Sequence, residues 1–332
     1  MSMKRFFAMG ILALALSQNA QGQVDPHFSQ FFVFPGWVNP AFTGAFDGTY
    51  RVSGVFRSQW QGMAGGFKTV GFSAEANTNR NVALGVNAFQ QTTGTGYTYQ
   101  QVNASFAYNG VTFDPDGYKV LSFGLQAGFI SRRFDASKFQ TEDQWSNLTG
   151  YNSTIPSADL LTANSSSVFD ASAGVMYMDL TEDKKINPYI GLAVHHLTSP
   201  EEYFVSRSEK TKMPMRLTGH VSLGINVSEF TIVTPSVLYL RQGTAEEQVL
   251  GLNVRHRVSD DVSLLGGASY RVNDAFVPFA GLQYGNFKIG ASYDVNASDI
   301  GKNVAKTNSF EVSLSLIFNK GEDNRYLRCP TF

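Results

Sequence analysis

The feature that most constrains this chain is a strict two-residue alternation whose two faces differ in kind. From Leu217 to Val227, one face carries Leu217, Gly219, Val221, Leu223, Ile225 and Val227. The other carries Thr218, His220, Ser222, Gly224 and Asn226. The pattern returns in Leu121 to Phe129, in Phe287 to Val295, and in Phe310 to Phe318, where Ile317 is the one exception. Period two places alternate side chains on opposite faces of a strand. In a soluble sandwich the polar face meets water and is rich in Lys and Glu. Here it is small and polar, which suits a barrel interior, while the apolar face suits lipid. The reading is an all-β, antiparallel, transmembrane outer-membrane β-barrel.

Composition fits that reading and removes the competing classes. Charged residues are only 16% and aromatics 13%, with 26 Lys and Arg against 27 Asp and Glu. Disorder needs low hydrophobicity and high net charge. A nucleic-acid binder needs an excess of basic residues. One cysteine excludes an intramolecular disulfide framework and a multi-cysteine zinc site. No run of about 18 apolar residues is present to make a spanning helix.

Fourteen strands are expected, roughly at 49–60, 67–78, 80–92, 97–112, 118–134, 167–180, 186–198, 214–227, 230–241, 247–257, 262–272, 275–285, 286–295 and 307–318. Outer-membrane barrels alternate short turns at one end with longer loops at the other. Counted along the chain, the long connections (61–66, 135–166, 199–213 and 296–306) are all odd-numbered. The even ones are tight, as in Asp114-Pro-Asp-Gly117, which reads as a turn. Only the eleventh connection, around Asn273 and Asp274, is short for its end. A misassigned pair there would reduce the count to twelve.

The N-terminus reads as an address. Lys4 and Arg5 precede an apolar run from Phe6 to Leu16, and Ala20 and Gly22 are small residues at a cleavage position. The expected signal peptide is 1–22, cut near Gly22/Gln23. Residues 23–48 follow, then a barrel over 49–318 and a periplasmic tail over 319–332. The 23–48 segment has Pro26, Pro35 and Pro40, which oppose regular structure. It also has Phe28, Phe31, Phe32, Phe34, Trp37 and Phe42. Two readings stand: a plug inside the barrel, or a docking segment for a partner in which Phe28, Phe31 and Trp37 make contact.

No catalytic constellation is present in the sequence: no phosphate-binding glycine loop, no Gly-x-Ser-x-Gly, no His-Glu-x-x-His. His195 and His196 are adjacent, so on a regular strand they would face opposite ways. His220 reads as a lumen hydrogen-bonding residue. Glu201, Glu202, Glu246 and Glu247 read as solvated loop charges. The inward face reads as mostly Gly, Ser, Asn and Gln, which argues against an ion-selective pore. No enzyme, cofactor or metal is expected. The long loop over 135–166 carries Trp145, Leu148, Tyr151 and Ile155 among Ser, Asn and Thr. Aromatic anchors among adaptable polar residues make a contact surface for a partner, and a lid folded over the lumen is the alternative.

Several segments, in order, resemble the PorP/SprF family of outer-membrane proteins. They are Gln23-Val-Asp-Pro-His-Phe-Ser-Gln30, Asn39-Pro-Ala-Phe-Thr-Gly44, Tyr50-Arg51 and Arg57-Ser-Gln-Trp60. Further along come His196-Leu-Thr-Ser-Pro200, Lys212-Met-Pro-Met-Arg216, Ala291-Ser-Tyr-Asp-Val-Asn296, Phe310-Glu-Val-Ser-Leu314 and Cys329-Pro330 with Phe332. The resemblance spans the mature chain; Thr43 departs from it, standing where Ala is commoner. It implies a non-enzymatic accessory barrel of the type IX secretion and gliding-motility machinery of Bacteroidetes. Such a barrel would help secrete or anchor a large adhesin carrying a type-B C-terminal sorting domain. Other type IX components, including a periplasmic peptidoglycan-associated lipoprotein, would be further partners. The alternative function is a general porin.

Overall fold

The computed structural model describes residues 25–60, 66–78, 81–135, 138, 144–146, 150–152, 154–155, 164–181, 184–206, 209–297 and 307–319. Its strands, in chain order, are β1 (Tyr50–Gln59), β2 (Phe67–Asn77), β3 (Val82–Thr93), β4 (Tyr97–Thr112), β5 (Lys119–Phe134), β6 (Trp145–Ser146) and β7 (Gly150–Tyr151). They continue with β8 (Ser165–Asp179), β9 (Ile186–His195), β10 (Glu201–Ser206), β11 (Glu209–Lys212), β12 (Arg216–Ser228) and β13 (Thr231–Gln242). The last five are β14 (Ala245–Arg257), β15 (Val262–Arg271), β16 (Ala275–Tyr284), β17 (Phe287–Asn296) and β18 (Ser309–Phe318). Fourteen of them form one closed antiparallel barrel, each beside its chain neighbour, with β1 sealed to β18. The remaining four make two small hairpins, β6–β7 and β10–β11, within the long connections.

The fourteen expected strands are the fourteen wall strands, and the short eleventh connection is real. It is a tight turn in which Asn273 takes φ 58°, a conformation Asn tolerates. The Asp114 turn also forms: its carboxylate accepts the backbone N–H groups of Tyr118 and Lys119, and Gly117 supplies φ 74°.

Alternation becomes sidedness. Leu125, Phe129, Leu192, Leu217, Ile289 and Leu314 face outward and are exposed, whereas Ser122, Gln126, Thr218, Ser222, Ser292 and Ser313 face inward and are buried. An exposed apolar band around a closed sheet has lipid as its natural solvent, and the ladder closes on itself where β1 pairs with β18. Among the described residues no helix is long and apolar enough to cross a membrane.

Two ends follow from the connections. The start of β1 and the end of β18 lie at the short-turn end. The connections carrying both hairpins, and the one from β17 to β18, lie at the other, the long-loop end.

Candidate functional site

The lumen is occupied by the chain itself. Residues 25–48 contain two single 3-10 turns, Pro35–Trp37 and Pro40–Phe42, and almost all are buried. Each turn begins on a proline, whose fixed φ suits the first position and whose missing N–H costs nothing there. Asn39 caps the second by accepting from the Ala41 N–H at 2.9 Å.

The segment starts at the long-loop end. Asp25 lies 2.7 Å from His196 Nε2, just past the end of β9, and 3.1 Å from Arg216 at the start of β12. The other imidazole nitrogen of His196 is 2.8 Å from Asp170 on β8. Burial alone raises the Asp25 carboxyl, but His196 and Arg216 outweigh it and hold the group below its ordinary value. Burial likewise opposes charge on His196, and Asp25 and Asp170 outweigh it, raising His196 to about 9. Asp25 is therefore a carboxylate and His196 an imidazolium, an ion-paired latch sealed from water.

The chain then crosses to the barrel seam. Glu311 on β18 accepts the backbone N–H groups of Ser29 and Gln30, at 2.8 Å each. Arg57 on β1 reaches Glu311 at 3.2 Å, Asp294 at 2.8 Å and Ser29 Oγ at 2.6 Å. It also lies 3.1 Å from His27 Nε2. Arg271 on β15 joins through Ser29 Oγ at 3.0 Å and Asp294 at 3.4 Å, and pairs also with Asp274 at 2.6 Å and Glu247 at 3.5 Å.

Next comes an aromatic cluster. Phe28 packs on Phe34 at 5.2 Å, and edge-on against Trp37 and against Phe89 of β3 at 5.8 Å each. Phe32 meets Phe279 of β16 at 5.1 Å. Arg216 covers the Trp37 ring at 4.5 Å and donates to its carbonyl at 2.6 Å. His195 Nε2 lies 3.1 Å from the Val38 carbonyl.

From Asn39 the segment descends to the short-turn end. Asn39 lies 3.2 Å from His220 Nε2, and Phe42 stacks on the His220 ring at 4.6 Å. The wall gives way to it at Gly124, where a Cβ would stand 2.1 Å from the Ala41 nitrogen and 2.2 Å from the Pro40 carbonyl carbon. Ser122 donates to the Ala41 carbonyl at 2.8 Å. Near the exit Phe46 lies under Arg51, which is paired with Glu75. The Gly48 carbonyl accepts from Asn77 at 2.8 Å.

Two cavities between this segment and the wall formed by β1 and β13–β18 measure about 40 and 10 Å³. Those volumes hold a few waters at most.

Four expectations are corrected by this geometry. His195 and His196 do not face opposite ways, because β9 ends at His195 and His196 turns back at φ 58°. Both imidazoles are buried on the lumen side, 3% and 1% exposed. The inward face is not short of charge: Arg51, Arg57, Arg216, Arg271, Glu75, Glu311, Asp170 and Asp294 are all buried in the interior. Glu247 is not a solvated loop charge but an inward residue of β14 paired with Arg271. The two longest connections are not plain loop, since each carries a short hairpin, β6–β7 and β10–β11.

The contact residues expected from sequence fall into two places. Phe28 and Trp37 are 2% and 5% exposed inside the lumen, with Phe31 half-buried beside them. Their burial fits the plug reading of this segment. Trp145 and Tyr151 face each other across the β6–β7 hairpin, ring centroids 5.9 Å apart, with Trp145 55% exposed. Ile155 is exposed and its carbonyl accepts from Gln144 at 2.8 Å. Leu148 lies outside the described residues. Among the described residues no group of three or more His, Cys, Asp or Glu side chains is placed to hold a metal.

A closed fourteen-strand antiparallel barrel, apolar outside and filled by its own N-terminal segment, defines an outer-membrane-type β-barrel. Solved structures agree on the fold. The Ralstonia pickettii toluene transporter TbuX is 12% identical at TM-score 0.51, over 85% of this chain and 92% of that one. The P. putida toluene transporter TodX is 13% identical at TM-score 0.51, over 85% and 93%. The CymD monoaromatic hydrocarbon channel is 14% identical at TM-score 0.51, over 87% and 94%. At such identities the likeness is one of architecture. No curated protein sequence matches. The sequence matches, over residues 20–316, the family described as type IX secretion system membrane protein PorP/SprF, and the chain belongs to that family. The family is one of secretion-system membrane proteins, and the solved neighbours are transporters and channels.

Proposed function

We propose that this protein is an accessory barrel of the type IX machinery that helps secrete or anchor a large cell-surface adhesin, engaging its type-B C-terminal sorting domain at the long-loop end. It would sit in the outer membrane after removal of a signal peptide near Gly22/Gln23. The observation that carries the reading is the filled lumen. Residues 25–48 are bonded to the wall at both ends and along its length, so transport through the interior is not what the barrel is built for. What it offers is surface. Long connections of outer-membrane barrels face the cell exterior, and here that end presents Trp145, Tyr151 and Ile155. The short-turn end would face the periplasm, within reach of a peptidoglycan-associated lipoprotein of the same machinery. The general-porin reading has the filled lumen against it.

The test is an affinity pull-down of the tagged protein from gently solubilised outer membranes, with mass spectrometry of the co-purifying chains. A large surface protein with a C-terminal sorting domain is expected, and it should be lost when residues 136–163 are replaced by a short linker. Recovery of the barrel alone would overturn the reading.

A further inference from the structure

The outward face of the wall changes character around the barrel at the long-loop end. On β12, β15, β16, β17 and β18 the outward residue nearest that end is apolar or aromatic: Leu217, Tyr270, Phe276, Val295 and Phe310, all exposed. On β13 and β14 it is charged, and the charges offset each other, with Arg241 3.7 Å from Glu246. On β2 to β5 it is Lys68, Thr92, Thr98 and Arg133, which are register partners in one continuous row. Lys68 and Arg133 are exposed. Among the described residues neither has an ion-pair partner.

Two further outward rows lie below this one on the same strands. In the first, Gln90 and Gln100 are register partners, and their side chains are bonded to each other at 2.7 Å on the exposed face. In the second, Phe72, Ala88, Val102 and Phe129 follow one another across the ladder, and the three larger side chains are exposed. Over four strands the wall thus passes from cation and hydroxyl, through amide, to hydrocarbon. That is the order of groups in an amphiphile with an anionic, hydrogen-bonding head and acyl tails. A charge on a lipid-facing wall costs least at the interface, and there it attracts anionic headgroups. Neighbouring strands are about 4.8 Å apart, so Lys68 and Arg133, three spacings apart, stand roughly 14 Å from each other.

We propose that the outward row from Lys68 to Arg133 is a binding site for a phosphorylated glycolipid of the outer leaflet. Its anionic groups would meet the two cations, and its sugar hydroxyls and amides the Thr and Gln side chains between them. Its acyl chains would lie over Phe72, Val102 and Phe129. This rests on the outer-membrane placement proposed above, with the long loops outward, and names a lipid for that face. The spacing chooses the occupant. A single phosphodiester headgroup reaches one of the two cations, whereas a disaccharide with an anionic group at each end reaches both. The guanidinium of Arg133 can hold a phosphate by two parallel N–H bonds, and the Lys68 ammonium acts as a point charge.

The experiment is native mass spectrometry of the purified full-length protein in detergent. The added lipid is diphosphoryl lipid A, the same lipid after phosphatase treatment, or phosphatidylglycerol. The wild type should retain diphosphoryl lipid A, and Lys68→Gln with Arg133→Gln should weaken that retention roughly tenfold. Removing the phosphates should weaken binding to the wild type to a like extent. Arg241→Gln, at a matched outward position, should leave retention unchanged. Both variants should melt as the wild type does, because these side chains lie outside the packed lumen. Undiminished retention by the double variant would overturn the site, as would an equal loss in Arg241→Gln or equally tight binding of phosphatidylglycerol. If the double variant instead loses a co-purifying surface protein while lipid retention is unchanged, the row is a protein contact and the proposal also falls. Orientation is tested apart. Thr95→Cys, in the turn between β3 and β4 and in a Cys329→Ser background, should react with a membrane-impermeant maleimide on intact cells. Reaction only after permeabilisation would overturn the outward placement of the long loops, and the glycolipid site with it.

Discussion

Arg57 on the first strand and Glu311 on the last are register partners across the seam that closes the barrel, and their side chains meet at 3.2 Å with no exposure to water. The same carboxylate accepts the N–H groups of Ser29 and Gln30. Barrel closure and plug seating are thus one polar assembly. Removing one member of a buried pair strands the other charge, at about 3–5 kcal/mol. Arg57→Met should therefore lower the temperature at which the folded barrel loses its fast migration in detergent gels. Asp294→Asn, which leaves Arg57 paired with Glu311, should have a smaller effect. Equal effects would contradict the assignment of Arg57 as the hub of this assembly.

The latch at the long-loop end should depend on pH through His196. Its value in the folded protein is about 9, above the ordinary 6.5, because Asp25 and Asp170 outweigh burial. A raised value means that stability is fully present below about pH 6.5 and fades as pH rises through about 9. The full gain is of the order of 3 kcal/mol. Asp25 acts in the opposite sense. Its value is lowered, so its contribution is present at neutral pH and is lost only in strong acid. Melting of the wild type against His196→Gln should show a gap at pH 6 that has largely closed by pH 10. A gap unchanged across that range would contradict the latch.

At Gly124 the wall lies directly against the backbone of the lumen segment. A valine there would collide with the backbone of Pro40 and Ala41, which cannot move aside as a side-chain tip can. Overpacking costs about 1–3 kcal/mol. Gly124→Val should make the 25–48 segment roughly tenfold or more open to proteolysis, while the outer band keeps the barrel intact. Unchanged protease resistance would show that the segment is not seated on Gly124.

The exposed pair in the β6–β7 hairpin should matter to a partner and not to the barrel. Trp145→Ala with Tyr151→Ala removes two aromatic anchors of a kind worth about 2 kcal/mol or more each at interface hot spots. Co-purification of the surface protein should fall by a factor of ten or more with no change in melting. A drop in melting temperature would instead assign the pair to packing within the loop.

Much of the architecture could be read from the sequence because a lumen and a lipid face impose alternation on every strand. Leu217 to Val227 announces both faces without any contact information. The interior network was harder to read. Arg57, His196, Arg216, Asp294 and Glu311 all stand in the motifs that carry the family resemblance, yet nothing local says that they converge. Their partner is the irregular 25–48 segment, and pairing Glu311 with Ser29 spans 282 residues. His196 misled for a simpler reason. Alternation predicts facing only while a strand continues, and the left-handed turn at that residue ends it. Glu247 reads as a solvated rim charge because the apolar pattern only starts there, whereas β14 begins at Ala245 and carries Glu247 into the wall. The aromatic run from Phe28 to Phe42 was informative in kind: too many rings for a free tail, and the lumen is where most of them sit.

A filled lumen should not conduct, and conductance tests the filling most directly. Purified wild-type protein in planar bilayers should give no stable channel events, whereas a variant lacking residues 25–48 should conduct once folded. Steady porin-like conductance from the wild type would contradict the account and favour a channel.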